Sequence, residues 1–214
     1  MRKSTLLLLA GLFLFAWSAS AYASDLTGKL TADNFFEVYL STDAHTLGTK
    51  VLTSDMGASD WQSPETLNLD FGGLTTYYLH VKAWDATPGG SGAGFLGDLT
   101  LNNANYVFAA NSGSTLATTY ANWEVYSDSA YTTSLAAYEL DRGANVASTL
   151  PWKNTYTGSI SSGADWLWTN VDGSKDVSAT RYFTTTITVT PEPVSAGLFL
   201  LGGGALAFFR RKKA

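Results

Sequence analysis

Residues 77–84 read YYLHVKAW, and this stretch decides the fold class. Apolar residues occupy every second position from Tyr77 to Ala83, and the positions between them hold other side chains. Such alternation is typical of a strand with one buried face, because successive side chains point to opposite sides of a sheet. The stretch therefore predicts a β-strand whose odd-numbered side chains face the core, while His80, Lys82 and Trp84 face outward.

The same alternation recurs through residues 24–190. It is clearest at 36–41, 67–71 and 182–189, and shorter runs occur at 95–101, 106–109, 123–126, 135–140 and 164–168. Turn-forming residues separate the runs at 72–73, 88–90, 111–113, 141–143 and 172–173. No stretch keeps a helical period over three turns, so this region is predicted to be all-β, as a sandwich or a barrel.

Composition excludes several classes of function. The chain has 214 residues with 13 basic and 18 acidic side chains, and residues 24–190 alone hold 7 basic and 17 acidic ones, a formal net charge of −10. A region this acidic argues against nucleic acid as a partner. The absence of cysteine excludes disulfides, thiol nucleophiles and Cys-ligated zinc, and two histidines make a His-rich metal site improbable.

The N-terminus has the three parts of a secretory signal peptide. Arg2 and Lys3 precede an apolar run at 6–15, and small residues follow, with overlapping Ala-x-Ala sites that end at Ala21 and Ala23. We expect signal peptidase to cut after Ala23, which defines residues 1–23 as the signal. An uncleaved anchor is the alternative, but the run is short of the roughly 20 apolar residues that a spanning helix needs.

The C-terminus also has three parts. Pro191-Glu192-Pro193 is followed by an uncharged stretch at 194–209 and then by four basic residues, Arg210, Arg211, Lys212 and Lys213. As a helix, the uncharged stretch would span about 24 Å, which is short of a hydrocarbon core of roughly 30 Å. The basic end should stay in the cytoplasm. Residues 194–209 are therefore expected to enter the inner membrane transiently, with residues 24–190 outside.

This tail resembles the PEP-CTERM sorting signal of Gram-negative bacteria, since all three parts occur in order over residues 191–214. The resemblance implies processing by an exosortase, a membrane-embedded protease, with release or transfer of the protein to the cell surface or extracellular matrix. It also implies a host that makes exopolysaccharide. A simple tail anchor is the alternative interpretation.

A second resemblance covers most of residues 24–190. The segments 31–35, 77–84, 94–97, 164–168 and 182–185 look like the bodies of exported PEP-CTERM proteins, which resemble galactose-binding-like jelly rolls. The resemblance implies an antiparallel, jelly-roll-like β-sandwich, flanked by the signal peptide and by a hydrophobic sorting helix. No binding motif is carried over with it.

No catalytic residue is predicted. His80 is expected on the outward face of a strand and His45 in a polar turn, and no serine has a Gly-x-Ser-x-Gly setting. The chain is therefore expected not to be an enzyme. A secreted polysaccharide-active hydrolase remains the alternative, because the two carboxyl groups of a glycosidase are usually distant in the sequence.

The tryptophans suggest carbohydrate binding, since an indole face can pack on the apolar face of a sugar ring. Trp84, predicted to face outward, and the adjacent Asp85 form a candidate platform beside a glycine-rich loop. Packing of Trp84 in the core or against that loop is the alternative. Trp166 and Trp168 are predicted to share one strand face and to lie in the core.

No cofactor is predicted, although a structural calcium ion is compatible with the oxygen-rich residues at 33–34 and 172–176. Solvated turns are the simpler interpretation of both. The tripeptide Glu-Val-Tyr occurs at 37–39 and again at 124–126, which is too little to establish a repeat. Together these features predict an exported, non-enzymatic protein with a role in adhesion, matrix structure or weak binding of exopolysaccharide or another glycan.

Overall fold

A computed structural model describes residues 24–54, 60–85, 93–135, 141–146, 158–169 and 179–190. These residues form twelve β-strands and a single turn of 3-10 helix at Asp60–Gln62, and they contain no α-helix. All the pairings between strands are antiparallel. The prediction of an all-β fold is confirmed for the described part of the chain.

The first sheet contains six strands. In chain order they are β1 (Leu26–Asp33), β4 (Glu65–Leu69), β6 (Gly94–Leu101), β8 (Thr115–Ala117), β10 (Asp141–Ala144) and β11 (Asp165–Leu167). Their spatial order is β4-β1-β6-β11-β10, and β8 also pairs with β6. The longest pairing joins β1 to β6 over eight residues, from Leu26 opposite Leu101 to Asp33 opposite Gly94.

The second sheet also contains six strands. They are β2 (Phe35–Ser41), β3 (Thr49–Thr53), β5 (Tyr77–Trp84), β7 (Tyr106–Phe108), β9 (Glu124–Tyr126) and β12 (Arg181–Val189). The order is β3-β2-β5-β12-β7, and β9 also pairs with β12. Only Asn34 separates β1 from β2, so the chain crosses between the sheets at that residue.

The core lies between the two sheets, which makes the fold a β-sandwich. Alternate side chains of both sheets are buried in one apolar cluster. The Phe95 ring of the first sheet lies 4.9 Å from the Phe183 ring of the second, and Leu30 and Leu79 are fully buried between the sheets. The predicted inward face of residues 77–83 is confirmed, since Tyr77, Leu79, Val81 and Ala83 all belong to this cluster.

A smaller cluster covers the outer face of the first sheet. Leu96 points away from the core that Phe95 faces, and it packs with Ile160, Ala164 and Trp166. Trp61 is partly buried against the same cluster. The strand β6 is therefore buried on both faces at this point, which agrees with its uninterrupted apolar sequence from Gly94 to Gly97.

Each sheet has one long strand that is shared by two short partners. In the first sheet, β6 pairs with β8 at 98–100 and with β11 at Phe95. In the second sheet, β12 pairs with β9 at 182–184 and with β7 at 187–189. On each long strand a short interval therefore separates the two partners. The interval comprises residues 96–97 on β6 and residues 185–186 on β12.

The sequence predicted most of the long strands and missed the less patterned ones. The runs at 36–41, 67–71, 77–84, 95–101 and 182–189 correspond to strands, although β4 begins earlier, at Glu65, and ends at Leu69. The strands β1, β3 and β8 were not predicted. The turn predicted at 141–143 is wrong, because these residues belong to β10, which pairs with β11 across a register shift.

Several predictions fall on residues outside the described ranges. These are the signal peptide at 1–23, the sorting tail at 191–214, the turns at 88–90 and 172–173 and nearly all of the strand predicted at 135–140. Within the described residues, no helix has the length and the hydropathy required to cross a membrane.

Candidate functional site

Trp84 lies at the end of β5 on the outer face of the second sheet, and it is half-buried. Phe35, its partner in register on β2, has a ring centroid 5.7 Å from the indole. The ammonium of Lys82 lies 4.7 Å from the indole centroid. The neighbouring Asp85 is also half-buried and directly follows the strand. The predicted outward orientation of Trp84 is therefore observed, but Phe35 and Lys82 cover part of the ring.

Glu37, Lys50 and Lys82 form a charged cluster, and Lys82 also contacts Trp84. The Glu37 carboxylate accepts hydrogen bonds from the Tyr39 hydroxyl at 2.7 Å, from Lys50 at 3.0 Å and from Lys82 at 3.3 Å. Partial burial opposes ionisation of Glu37, but these donors outweigh it and lower the pKa of the carboxyl. Burial and the bond to Glu37 raise the pKa of Tyr39 to about 12, so its hydroxyl stays a donor at neutral pH.

His80 also points to the outer face, as predicted, yet its side chain is fully buried. The ring of Tyr131 covers it at a centroid distance of 4.1 Å. Tyr126 and Tyr182 contact Tyr131 edge-on, at 5.3 and 6.0 Å. A second layer of aromatic side chains therefore lies outside the sheet, and His80 has the predicted outward direction but is buried beneath this layer.

The hydrogen bonds of His80 fit one neutral tautomer of the ring. Nε2 lies 3.5 Å from the carbonyl oxygen of Asp43, and Nδ1 lies 2.9 Å from the Thr184 hydroxyl. If Nε2 carries the proton and donates to Asp43, Nδ1 is free to accept from Thr184. Burial lowers the pKa of His80 more strongly than the carbonyl of Asp43 raises it. The ring is therefore neutral at pH 7, and because its nitrogens are engaged, it is not placed as a general base.

The loop that covers His80 is organised by Asp128. Its carboxylate accepts from the backbone N–H groups of Ala130, Thr132 and Thr133 at 2.7–3.2 Å. Desolvation acts to raise the pKa of Asp128, but the bonds from Thr132 and Thr133 lower it to about 2. The loop holds Tyr131 at a positive φ of 56°, which is uncommon for a residue other than glycine.

A cleft of about 450 Å³ opens beside this loop, at the interval of β12 between β9 and β7. It is lined by residues 109–110, 120–126, 134–135 and 184–186. Thr184 pairs with Glu124 on one side of the interval, and the Thr186 carbonyl accepts from the Ala109 N–H on the other. The volume is within the range of about 300–1,000 Å³ that is usual for small-molecule sites.

Two of the residues that line the cleft each carry a fully buried side-chain polar atom that lacks a hydrogen-bond partner among the described residues. The atoms are Nε1 of Trp123 and Oγ1 of Thr185, and both side chains are only 3% exposed. Thr185 lies between Phe183 and Ile187 on the core-facing side of β12, and Trp123 packs edge-on against Phe95. Because buried polar groups are normally paired, two such atoms at one cleft mark it as a candidate site.

The repeated Glu-Val-Tyr tripeptide forms the same hydrogen bond in both places. The Tyr126 hydroxyl donates to Glu124 at 2.8 Å, as Tyr39 donates to Glu37 at 2.7 Å. Burial and the bond to Glu124 raise the pKa of Tyr126 to about 12. Glu124 differs from Glu37 in that no lysine contacts it among the described residues, and it provides a free carboxylate edge at the mouth of the cleft.

Trp166 and Trp168 are both buried, as predicted, but not on one face. β11 ends at Leu167, and the alternation of side chains stops there. Trp166 belongs to the small outer cluster, whereas Trp168 belongs to the core between the sheets. Both tryptophans therefore have structural positions on opposite sides of the first sheet.

The described residues contain no group of three or more histidine, aspartate or glutamate side chains placed to hold a metal ion. At one of the two segments considered for calcium, the Asn34 amide donates to the Asp33 carboxylate at 2.8 Å. The other, residues 172–176, lies outside the described ranges. Searches against protein-family models, curated proteins and solved structures found no match to this chain.

The sequence predicted Trp84 and Asp85 as candidate binding residues, but it did not predict the cleft beside β12. No functional role was predicted from the sequence for Trp123 or Thr185. No sequence pattern distinguishes Thr185 from its neighbours, because its special position arises from the interval between β7 and β9, which are distant in the chain. The Glu-Val-Tyr repetition was the one available signal near the cleft.

Proposed function

We propose that this chain is an exported protein of a Gram-negative cell surface or extracellular matrix, sorted by an exosortase and not an enzyme. The observation that carries the proposal is the order of three segments at the C-terminus: Pro191-Glu192-Pro193, the uncharged stretch 194–209 and the basic end 210–213. The signal-like residues 1–23 support the same route. In this proposal residues 194–209 enter the inner membrane only until the tail is processed.

The finer part of the proposal is a galactose-binding-like jelly roll for residues 24–190. The two antiparallel six-stranded sheets and their shared core are compatible with it. A β-sandwich is suited to a matrix protein, because its paired strands form a rigid scaffold. The loops and outer faces of that scaffold can contact other molecules.

The molecular role that we propose is adhesion or matrix structure with weak glycan binding at Trp84 and Asp85. The indole lies on an outer face and is held by Phe35 and Lys82, which would fix its orientation for stacking. Asp85 would supply a carboxylate acceptor for sugar hydroxyls. One aromatic contact with a few hydrogen bonds gives modest affinity, in the range of about 4–6 kcal/mol.

The alternative is a secreted hydrolase that acts on polysaccharide. That function requires two carboxyl groups on either side of the scissile bond. The described residues contribute one carboxylate, Glu124, to the cleft beside β12. Reducing-sugar release from the host's exopolysaccharide, measured with wild type and with Glu124→Gln, separates the two proposals, because activity lost in the variant would establish the hydrolase.

The sorting proposal is tested by replacing Pro191, Glu192 and Pro193 with alanine in the native host. We expect the variant to accumulate uncleaved in the membrane, whereas wild type reaches the surface without its tail. Mass spectrometry of the mature C-terminus is the measurement, and Pro88→Ala is a matched proline control that should be processed normally. Surface-located wild type that still carries residues 194–214 would overturn the proposal.

A further inference from the structure

The two Glu-Val-Tyr segments place the same hydrogen bond in different electrostatic settings. The Glu37 carboxylate is also held by Lys50 at 3.0 Å and by Lys82 at 3.3 Å. The Glu124 carboxylate accepts from Tyr126 at 2.8 Å but forms no ion pair among the described residues, and Glu124 is exposed. Glu124 can therefore take up a proton without breaking an ion pair, whereas Glu37 cannot.

This difference matters for the removal of an electron from the phenol ring. Loss of an electron makes a phenol hydroxyl strongly acidic, so the reaction is faster when a positioned base accepts the proton at the same time. Burial and the bond to Glu124 raise the pKa of Tyr126 to about 12, so its hydroxyl is protonated at neutral pH. The proton must therefore leave with the electron, and the Glu124 carboxylate, 2.8 Å from the hydroxyl oxygen, is placed to accept it.

We propose that Tyr126 is a site of one-electron oxidation in which Glu124 is the proton acceptor. The oxidant is a one-electron acceptor, such as a photo-oxidised ruthenium complex or the oxidised haem of a peroxidase. It gains one electron from the Tyr126 ring, while the hydroxyl proton moves to the Glu124 carboxylate. The products are a neutral phenoxyl radical, a neutral carboxyl group and the reduced oxidant. This oxidation is independent of the glycan contact at Trp84 and of the sorting tail.

The neighbouring Tyr131 is not an equivalent site. Its ring centroid lies 5.3 Å from that of Tyr126, but its hydroxyl is buried and has no hydrogen-bond partner among the described residues. Oxidation of Tyr131 would release a proton where no base is placed to accept it and where burial disfavours charge. Tyr126 is half-buried and lines the open cleft beside β12, so a small oxidant can approach it. Oxidation is therefore expected at Tyr126 rather than at Tyr131.

The test uses the full-length chain in mild detergent with tris(bipyridyl)ruthenium and persulfate, which form a one-electron oxidant when illuminated. Mass spectrometry of peptides measures the oxidised fraction of each tyrosine after a short exposure. Glu124→Gln keeps the size of the side chain and an oxygen that accepts the hydrogen bond, but an amide is not a base at neutral pH. We expect the oxidised fraction of Tyr126 to fall about tenfold, less than for an enzyme's base because water can also accept the proton. Because Glu124 is exposed, the variant should melt at the wild-type temperature.

Tyr120 and Tyr39 serve as internal controls. Tyr120 is 51% exposed at the same cleft, and its hydroxyl forms no hydrogen bond among the described residues, so its oxidation should not fall in Glu124→Gln. Tyr39 donates to a carboxylate that two lysines hold, and it should be oxidised less than Tyr126 in wild type.

A fall confined to Tyr126 in Glu124→Gln supports the proposal. Unchanged oxidation of Tyr126 in that variant would overturn it, since the carboxylate would not be the proton acceptor. Equal falls at Tyr126 and Tyr120 would also overturn it, because the substitution would then act on the protein as a whole. Greater oxidation of Tyr39 than of Tyr126 in wild type would show that the unpaired carboxylate does not select the site, and the proposal would be wrong.

Discussion

The ring of Tyr131 stacks on the imidazole of His80 with centroids 4.1 Å apart and planes inclined by 30°. Tyr131 belongs to the loop after β9, and His80 lies near the middle of β5, so the contact ties a loop to the outer face of the sheet. The stacking removes His80 from water, and the Thr184 hydroxyl occupies its Nδ1. A histidine that the strand pattern places outside is thereby made part of a buried aromatic layer.

His80 should make folding sensitive to pH. Burial lowers the pKa of His80 below its ordinary value of 6.5, so the folded protein binds fewer protons at this ring than the unfolded chain does. Its stability contribution is complete above pH 6.5 and is lost as the pH falls below it, by at most about 1.4 kcal/mol per pH unit. Urea unfolding of wild type and His80→Gln between pH 7 and 4 should show this slope just below pH 6.5 in wild type and its absence there in the variant.

His45→Gln is the matched control, because His45 lies exposed in the turn after β2. It should retain the wild-type slope. Loss of stability that begins only below about pH 4.5 would instead point to carboxylates such as Glu37, whose pKa is lowered from that value. An NMR titration of wild type gives an independent check, since the His80 ring should stay neutral below pH 6.5.

A methyl group at Gly97 should destabilise the first sheet. A Cβ added there would lie 2.9 Å from the Lys29 carbonyl oxygen, and it would also overlap Leu30 Cδ2. Because Leu30 is fully buried and the Lys29 backbone is held in the β1–β6 ladder, neither neighbour can yield easily. Gly97→Ala should therefore cost about 1–3 kcal/mol in chemical denaturation.

Gly73→Ala is the control for that substitution. A Cβ at Gly73 meets no atom within 4 Å, and the carbonyl that accepts from Tyr77 and Tyr106 is unchanged. We expect it to change stability by less than about 0.5 kcal/mol. Equal effects of the two substitutions would show that the close approach of β1 and β6 at Gly97 is wrong.

Trp84→Ala should remove the proposed glycan contact at little cost to folding. The half-buried indole contacts Phe35 and Lys82, which together account for about 1–2 kcal/mol. Trp168→Ala, at a fully buried tryptophan, should cost about 3–5 kcal/mol. Thermal unfolding of both variants decides the matter, and a loss in Trp84→Ala as large as in Trp168→Ala would assign Trp84 to the core.

Residues 24–190 should fold without the terminal segments. The apolar core between the sheets draws on β1 and on β12, which lie near the two ends of this region. We expect a soluble protein with β-type circular dichroism and one cooperative transition that is unaffected by reductant, since the chain has no cysteine. A helical spectrum, or two separate transitions, would contradict a single β-sandwich.

The strands that the sequence predicted most clearly have one apolar face buried in the core. In β5 and β12 the inward residues are apolar at nearly every second position, so the period of two is visible. β1 was missed because Gly28 takes an inward position where Leu99 fills the space, which breaks the apolar pattern. β3 was missed because it is an edge strand with no buried residue, and β10 because pairing with β11 overrides a turn-like sequence.

The candidate site was less predictable than the fold. The outward direction of Trp84 followed from local alternation, and the structure agrees. The burial of His80 did not follow, since it depends on a loop that Asp128 organises some fifty residues later in the chain. The cleft forms where β7, β9 and β12 come together in the fold. The Thr185 hydroxyl lacks a partner among the described residues because of that arrangement, so no single segment of the sequence predicts it.

The position of β12 has a consequence for the timing of folding. It is the last strand in the described part of the chain, yet it lies inside its sheet and pairs with β5, β7 and β9. During synthesis these three strands emerge before the partner that they share, and the β5 pairing closes a separation of about a hundred residues. The second sheet cannot be completed until the chain has emerged as far as Val189, so this domain is expected to reach its native state only after its synthesis is nearly finished.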